Sequence, residues 1–408
     1  MHYDLIIIGM GFSGLMAAKT AVDLGKKVLI LGKGIGSLSL FSNTIDVLGK
    51  SPKAVKMRES LSQWIKDHPQ HPYSKVGIES IEEALSSFLS LFPPSYSFQE
   101  IGNSNSLIPT GAGTLRPTYL IPVTMVEGIS FNKGETLIAG VEGFKDFYAH
   151  FVSDQLKCRG ITLSLPEASY PEMTGTALAR LMEKKSFREN IGSEIKKQLH
   201  GETRIGFPAL LGMHDPIQVK EDLEKIIGAK VFEIPTLPPS IPGMRIFNRF
   251  KEWLIQMGAT FLTGYSVSKA TLKGKRCEGI EVLHPPLTIS YSADRYILAT
   301  GRFIGGGLMA DMEKVSEPIF NLPVYQPKSR EDWFRNHFFD SPSHPIHQAG
   351  ILVDSSFRPI DERGDPILEN VWVGGSILAH HHCIDEKSRE GIEISTGYMA
   401  AKHALENS

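Results

Sequence analysis

Tyr3-Asp4-Leu5-Ile6-Ile7-Ile8-Gly9-Met10-Gly11-Phe12-Ser13-Gly14 is an apolar run that enters a G-x-G-x-x-G turn and continues as a helix. Gly9 permits the tight turn, Gly11 lets a pyrophosphate approach the backbone, and Gly14 lets the helix pack closely on the strand. The helix N-terminus then offers free N–H groups and the positive end of its dipole to a phosphate. The context is what such a turn requires. A helical run from Leu15 to Leu24 follows, Gly25 stops it, and Lys27-Val28-Leu29-Ile30-Leu31 reads as a second buried strand. This predicts the phosphate-binding unit of a dinucleotide-type fold, with Gly9, Gly11, Ser13 and Gly14 binding cofactor.

The 408 residues are enough for two domains, or for one large domain with insertions. Formal charge is −2, from 43 basic and 45 acidic residues. No basic run or basic–aromatic stripe suggests nucleic acid. Cys158, Cys277 and Cys383 are too scattered for a disulfide framework, a C-x-x-C site or an iron–sulfur cluster held by this chain alone, which points to a reducing cytoplasm. The first apolar run lacks a basic flank and carries glycines at phosphate-binding spacing, so it does not read as a signal peptide. No stretch reaches the ~18–20 apolar residues of a membrane span. Membrane association is expected only through a partner.

Further along, Leu61, Trp64 and Ile65, then Ile81, Leu85 and Leu89, recur at helical spacing before Pro93-Pro94 breaks the pattern. Residues 95–240 are mixed, with a strand at Glu135–Ala139 and a polar helix from Phe187 to Leu199. Ile246, Phe250, Trp253, Leu254 and Met257 form a helical stripe, and Gly258–Leu262 reads as a strand. Short alternating segments follow around Val267 and Gly279–Val282. Ala293–Gly301 reads as a buried strand ending in a turn. Asn370-Val371-Trp372-Val373-Gly374-Gly375-Ser376 is a strand running into a glycine turn, and a helix covers Gly391 to Leu405.

This order resembles the α/β, two-dinucleotide-domain flavoprotein (Rossmann-like FAD/NAD(P)-binding) fold with an inserted mixed α/β domain. In that fold the first and last segments meet around the flavin. A plain nicotinamide dehydrogenase has no need of the last segment. The expected division is a nucleotide-binding domain of residues 1–95, 243–302 and 350–408, and an inserted substrate or partner domain of 96–242 and 303–349. Thr300, Gly301, Gly375 and Ser376 join the expected flavin contacts.

Four stretches narrow the family. They are Ser42-Asn43-Thr44-Ile45-Asp46-Val47-Leu48, Thr114-Leu115-Arg116-Pro117-Thr118-Tyr119-Leu120, Ile234-Pro235-Thr236-Leu237-Pro238-Pro239-Ser240 running on to Arg245, and Ala299-Thr300-Gly301-Arg302-Phe303-Ile304-Gly305-Gly306-Gly307-Leu308. Together they resemble the B subunit of anaerobic glycerol-3-phosphate dehydrogenase over nearly the whole chain. The resemblance implies a flavin oxidoreductase, associated with FMN, that works with a catalytic A-type flavoprotein subunit. An iron–sulfur C-type subunit would anchor the pair at the membrane and pass electrons to quinone. The overall reaction would be oxidation of sn-glycerol 3-phosphate to dihydroxyacetone phosphate. The expected location is cytoplasmic, peripheral at the inner membrane through a partner.

The substrate phosphate calls for guanidinium donors, whose planar fork grips phosphate oxygens in pairs. Arg116 and Arg245 lie in the most family-like stretches and Arg302 follows the Ala-Thr-Gly turn, so these are the candidates; an ordinary ion pair is the alternative for each. Ser42, Asn43 and Thr44 are candidates for a flavin edge, or for a helix cap. Among His380-His381-His382, His380 is the candidate general base, since imidazole titrates near neutrality. Three adjacent histidines do not converge on a metal, and no metal is expected.

Two departures from the flavoprotein pattern stand out. The second strand ends at Leu31-Gly32-Lys33, without the acid that usually binds the adenosine ribose of FAD. FMN has no adenosine and loses nothing by this; a degenerate FAD site or an empty fold would share the sequence. The last turn is Gly374-Gly375-Ser376, where many related flavoproteins have Gly-Asp, and the segment after it is charged rather than glycine-rich. Two other readings follow: a flavoprotein-derived scaffold or electron-relay subunit, and a flavin oxidoreductase for another small hydroxy or amino substrate.

Overall fold

The computed structural model describes residues 2–52, 55–166, 172–340 and 343–406. The chain divides into two compact units. The first comprises Met1–Ser37, Arg58–Leu91 and Phe250–Ser408, and the second Leu38–Met57 and Phe92–Arg249.

In the first unit, strand β1 (His2–Ile8) leads into helix α1 (Phe12–Asp23) and back to strand β2 (Val28–Gly32). Leu5, Ile6, Ile7 and Ile8 are buried because β1 has parallel neighbours on both edges, β2 on one and the strand Leu287–Leu298 on the other. The seven-stranded sheet runs Thr260–Thr263, β2, β1, Leu287–Leu298, Arg276–His284 and Ser266–Lys273. The strand Val371–Val373 pairs in parallel with the end of Leu287–Leu298. The sheet is therefore parallel where it carries the glycine turns and antiparallel where it reaches its far edge. The expected strand at Ala293–Gly301 is real but longer at its start and shorter at its end, which leaves Thr300 and Gly301 in the turn.

Helix α1 is buried from Phe12 to Val22, and the last helix, Arg389–Glu406, packs along it. Ala17, Ala18 and Ala21 on α1, and Ala400, Ala401 and Ala404 on the last helix, are all buried. Small residues allow two helices to lie close.

The second unit has its own parallel sheet, ordered Lys230–Ile234, Arg204–Pro208, Thr136–Val141 and Arg159–Leu163. Helices Ala149–Leu156, Gly175–Met182, Lys185–Lys197 and Pro216–Ile227 accompany it, and a continuous apolar core from Leu137 to Ile241 fills it.

Two expected boundaries shift. Residues 303–349 fall in the first unit rather than the inserted one. Ala270 N–H donates to the Ile319 carbonyl, Val324 pairs with Ile351, and Arg302 bonds the His347 carbonyl, so the segment is laced to the sheet and the last glycine turn. Conversely, residues 38–57 fall in the second unit. Ile45 bridges Leu120, Asn105 Nδ2 donates to the Leu48 carbonyl, and Ser240 N–H donates to the Ser39 carbonyl.

Candidate functional site

The β1–α1 turn is shaped by its glycines. Gly9 has φ +123°, and a Cβ there would lie 2.1 Å from the Ala299 carbonyl oxygen; a Cβ on Gly14 would lie 2.0 Å from that of Gly9. Both positions are closed to side chains by backbone. Gly11 is different, since a Cβ there would meet nothing within 4 Å. Gly11 is also the N-cap of α1, with no side-chain cap and no acidic residue in the first turn. The N-terminus of α1 is thus uncapped and open beside Gly11, the arrangement that binds a phosphate.

The last part of the chain returns to this turn. After Val371–Val373, the Gly374 N–H donates to the Leu298 carbonyl and the Gly375 N–H donates to Thr396 Oγ1 at 2.8 Å. Gly375 has φ +91°, and a Cβ on it would lie 2.8 Å from that of Ser13. Gly397 on the last helix rests on the Ser13 backbone.

The third wall is the turn after Leu287–Leu298. Gly301 has φ +70°, and Gly305 and Gly307 fold back onto Thr300. Arg302 holds this loop to its neighbours, donating to the carbonyls of His347, Leu378 (3.0 Å) and His381 (3.1 Å). Its guanidinium is therefore spent on backbone, with no carboxylate among these bonds, and burial pulls its pKa below the usual range. Among the described residues, Ser13 Oγ and Thr300 Oγ1 are buried with no hydrogen-bond partner. Buried hydroxyls in that state call for a bound polar group. With the open face of Gly11, they fit the phosphate and adjoining oxygens of a flavin nucleotide.

The structure thus brings together Gly9, Gly11, Ser13, Gly14, Thr300, Gly301, Gly375 and Ser376 in the first unit. Ser42, Asn43 and Thr44 lie in the second unit and are occupied locally. Asn43, with φ 57°, donates through Nδ2 to the carbonyls of Leu38 and Phe41 and to Ser240 Oγ. Thr44 Oγ1 donates to Asp46. These bonds hold a loop in place, while the buried Asn43 Oδ1 has no partner among the described residues.

Arg245 lies in the core of the second unit. Its side chain is 2% exposed and forms a bidentate pair with Glu233 at 2.8 Å, while Nε donates to the Gly212 carbonyl at 2.8 Å. Burial raises the Glu233 pKa, but the Arg245 charge and hydrogen bonds from Arg245, Thr124 and the Leu211 N–H outweigh it and hold the carboxylate ionised. Such a buried, fully enclosed pair is a core brace. Arg116 pairs with the buried Asp46 and reaches Ser42 Oγ at 3.4 Å, yet its side chain remains 30% exposed.

Of the three histidines, His381 rather than His380 touches the glycine turn, through Nε2 to the Ser376 carbonyl at 3.3 Å. His380, with φ 63°, lies against Tyr325, ring centroids 4.2 Å apart. Burial, then the charges of Lys75 and His71, lower its pKa, so it is neutral. Burial and Arg302 push His381 far lower. His382 faces His347, and both contact Ser343 Oγ, at 3.0 and 3.1 Å. Burial first, and the charges of His382, His344 and Arg302 after it, bring His347 down to about 4.

At the end of β2, a Cβ on Gly32 would lie 3.1 Å from Met10 Cγ, and Met10 is buried. A side chain on Gly32 would crowd this methionine. Sequence reasoning missed Thr396, Glu393 and Gly397, which complete the wall from the last helix. Among the described residues no helix is long and apolar enough to cross a membrane.

Residues 4–388 match the family described as FAD binding domain. The probable B subunit of anaerobic glycerol-3-phosphate dehydrogenase from Halobacterium salinarum is 30% identical over 421 residues, covering 99% of this chain and 98% of its own. The B subunit of anaerobic glycerol-3-phosphate dehydrogenase from Aliivibrio fischeri is 28% identical over 439 residues, covering 100% and 96%. Among solved structures, 3-ketosteroid delta1-dehydrogenase from Sterolibacterium denitrificans aligns with a TM-score of 0.47 and 11% identity, covering 100% of both chains.

Proposed function

The chain belongs to the family of anaerobic glycerol-3-phosphate dehydrogenase B subunits, within the wider FAD-binding domain family, and from that premise we propose that it serves as the flavin-dependent B subunit of such an enzyme. The reaction is oxidation of sn-glycerol 3-phosphate at its secondary alcohol to dihydroxyacetone phosphate, with the electrons passed through partner subunits to quinone. The partners are an A-type flavoprotein subunit and a membrane-anchoring iron–sulfur C-type subunit, which would place this chain peripherally at the membrane.

The observation that carries this reading is the open Gly11 face at the N-terminus of α1, next to the unpartnered hydroxyls of Ser13 and Thr300. A bound flavin supplies a two-electron acceptor for the alcohol. The residues around it hold the nucleotide: the α1 N–H groups take the phosphate, and Ser13 and Thr300 donate to its oxygens. We take the nucleotide to be FMN, since Gly32 bears no carboxylate and Met10 fills the space beside it. Arg116, whose guanidinium keeps partial exposure, is the donor for the substrate phosphate.

The test is to purify the chain with its partner subunits and follow dye reduction driven by sn-glycerol 3-phosphate. Activity that collapses when Gly11 is replaced by Ala, in an otherwise intact complex, supports the reading. An intact complex that reduces dye at the full rate with a flavin-free Gly11→Ala chain makes the chain a scaffold.

A further inference from the structure

The last glycine turn carries Ser376 rather than an acid, and the polyol that joins a flavin ring to its phosphate presents a row of hydroxyl donors. The last helix brings an acid to the same place. Glu393 is 5% exposed, and its Oε2 has no partner among the described residues. It lies one helical turn from Gly397, on the face that also carries Thr396. Gly397 rests on Ser13, and Thr396 accepts the Gly375 N–H. Ser13, Gly375, Ser376 and Glu393 therefore form one continuous wall, running from the phosphate turn toward the N-terminus of the last helix.

Resting on the flavin reading above, we propose that Glu393 binds the hydroxyls of the flavin polyol, supplying from the last helix the acid that the glycine turn lacks. A buried carboxyl with one oxygen unmatched carries a desolvation cost that a hydroxyl donor removes. Burial holds Glu393 above the ordinary carboxyl range, the Arg389 charge opposes this, Glu390 adds to it, and the nearby Ser376 hydroxyl opposes it. Ionised, the group accepts from a hydroxyl; protonated, it both donates and accepts, so the polyol suits either form.

The full-length chain, stripped of flavin, is titrated with FMN, riboflavin and lumiflavin, and binding is read by flavin fluorescence. Lumiflavin carries the ring without the polyol. Glu393→Met keeps nearly the volume and removes both oxygens, Glu393→Ala removes the side chain, and Glu393→Gln keeps a hydrogen-bonding end. Circular dichroism establishes which variants fold. The expected result is an affinity loss of about tenfold to a hundredfold for FMN and riboflavin in whichever of Glu393→Met and Glu393→Ala folds. Glu393→Gln should recover most of that loss, and lumiflavin binding should not change. Equal FMN affinity in wild type and the folded variant overturns the proposal, as does an equal loss for lumiflavin. A wild-type chain that binds none of the three flavins overturns the flavin reading itself, and this proposal with it.

Discussion

Gly375 faces Ser13 so closely that a methyl group on Gly375 would lie 2.8 Å from the Ser13 Cβ and 3.0 Å from its Oγ. The first helix and the last glycine turn of the sheet thus form one wall. The hydroxyl caught between them has no partner among the described residues. The same wall closes the chain and lines the proposed flavin site.

Gly11 and Gly14 separate these two roles. Gly11→Ala meets nothing within 4 Å in the protein. It should change unfolding free energy by no more than about 0.5 kcal/mol, yet lower flavin affinity at least about tenfold (~1.4 kcal/mol), because its methyl stands where the phosphate approaches. Gly14→Ala would drive a methyl to 2.0 Å from the Gly9 carbonyl oxygen. It should destabilise by about 1–3 kcal/mol or more, visible in urea unfolding with no flavin present. Equal stability of the two variants would contradict this division.

Arg245 should behave as a core residue. Arg245→Met leaves the buried Glu233 without its counter-ion, and breaking such a pair costs about 3–5 kcal/mol. Glu233→Gln in the same chain should restore part of the loss, since its amide oxygen still accepts from Thr124 or the Leu211 N–H. Urea unfolding of the two variants checks it. A stable Arg245→Met chain with only a raised KM would return Arg245 to the substrate site.

Arg116 should behave otherwise. Arg116→Lys keeps the charge opposite Asp46 but loses the planar fork. In the complete complex, KM for sn-glycerol 3-phosphate should rise about tenfold (~1.4 kcal/mol) with kcat little changed. Steady-state dye reduction measures it, and an unchanged KM would remove Arg116 from the phosphate site.

Stability should fall with acid in two stages. His347, His380 and His381 are held neutral below their ordinary pKa, chiefly by burial. The unfolded chain then binds protons that the folded chain refuses. Stability is full above about pH 6.5 and declines as pH falls toward about 4, the value for His347. Glu386 adds a second stage. Burial raises its carboxyl, but hydrogen bonding and charge from His71, with smaller contributions from His381 and the His382 N–H, bring it down to about 2. Its contribution is present above about 4.5 and disappears as pH falls toward about 2. Urea midpoints from pH 7.5 to 4 check the first stage, and His347→Gln should flatten part of the slope. A midpoint that rises on acidification would contradict the assignment.

The sequence was readable where backbone geometry demands glycine. Gly9 and Gly14 stand where a side chain would strike backbone, and Gly375 stands at a turn that must be left-handed. Side-chain roles were less legible. Arg245 looks the same on the page whether its partner is a substrate or Glu233, which sits on a different element. Residues 303–349 belong to the first unit. Their tie to the first unit runs through backbone carbonyls bonded by Arg302, and carbonyls carry no sequence signature. Glu390 and Glu393 are both buried. Acids inside a helix packed along α1 were the signal that could have marked that wall.

The central claim is that this chain holds a flavin mononucleotide at the N-terminus of α1. Mass spectrometry of the cofactor released from the purified, folded chain, alongside its visible spectrum, tests it most directly. The account predicts FMN, and predicts its absence from the Gly11→Ala variant. A correctly folded wild-type chain that releases no flavin, alone or with its partner subunits, would contradict it, and release of FAD would contradict the mononucleotide assignment.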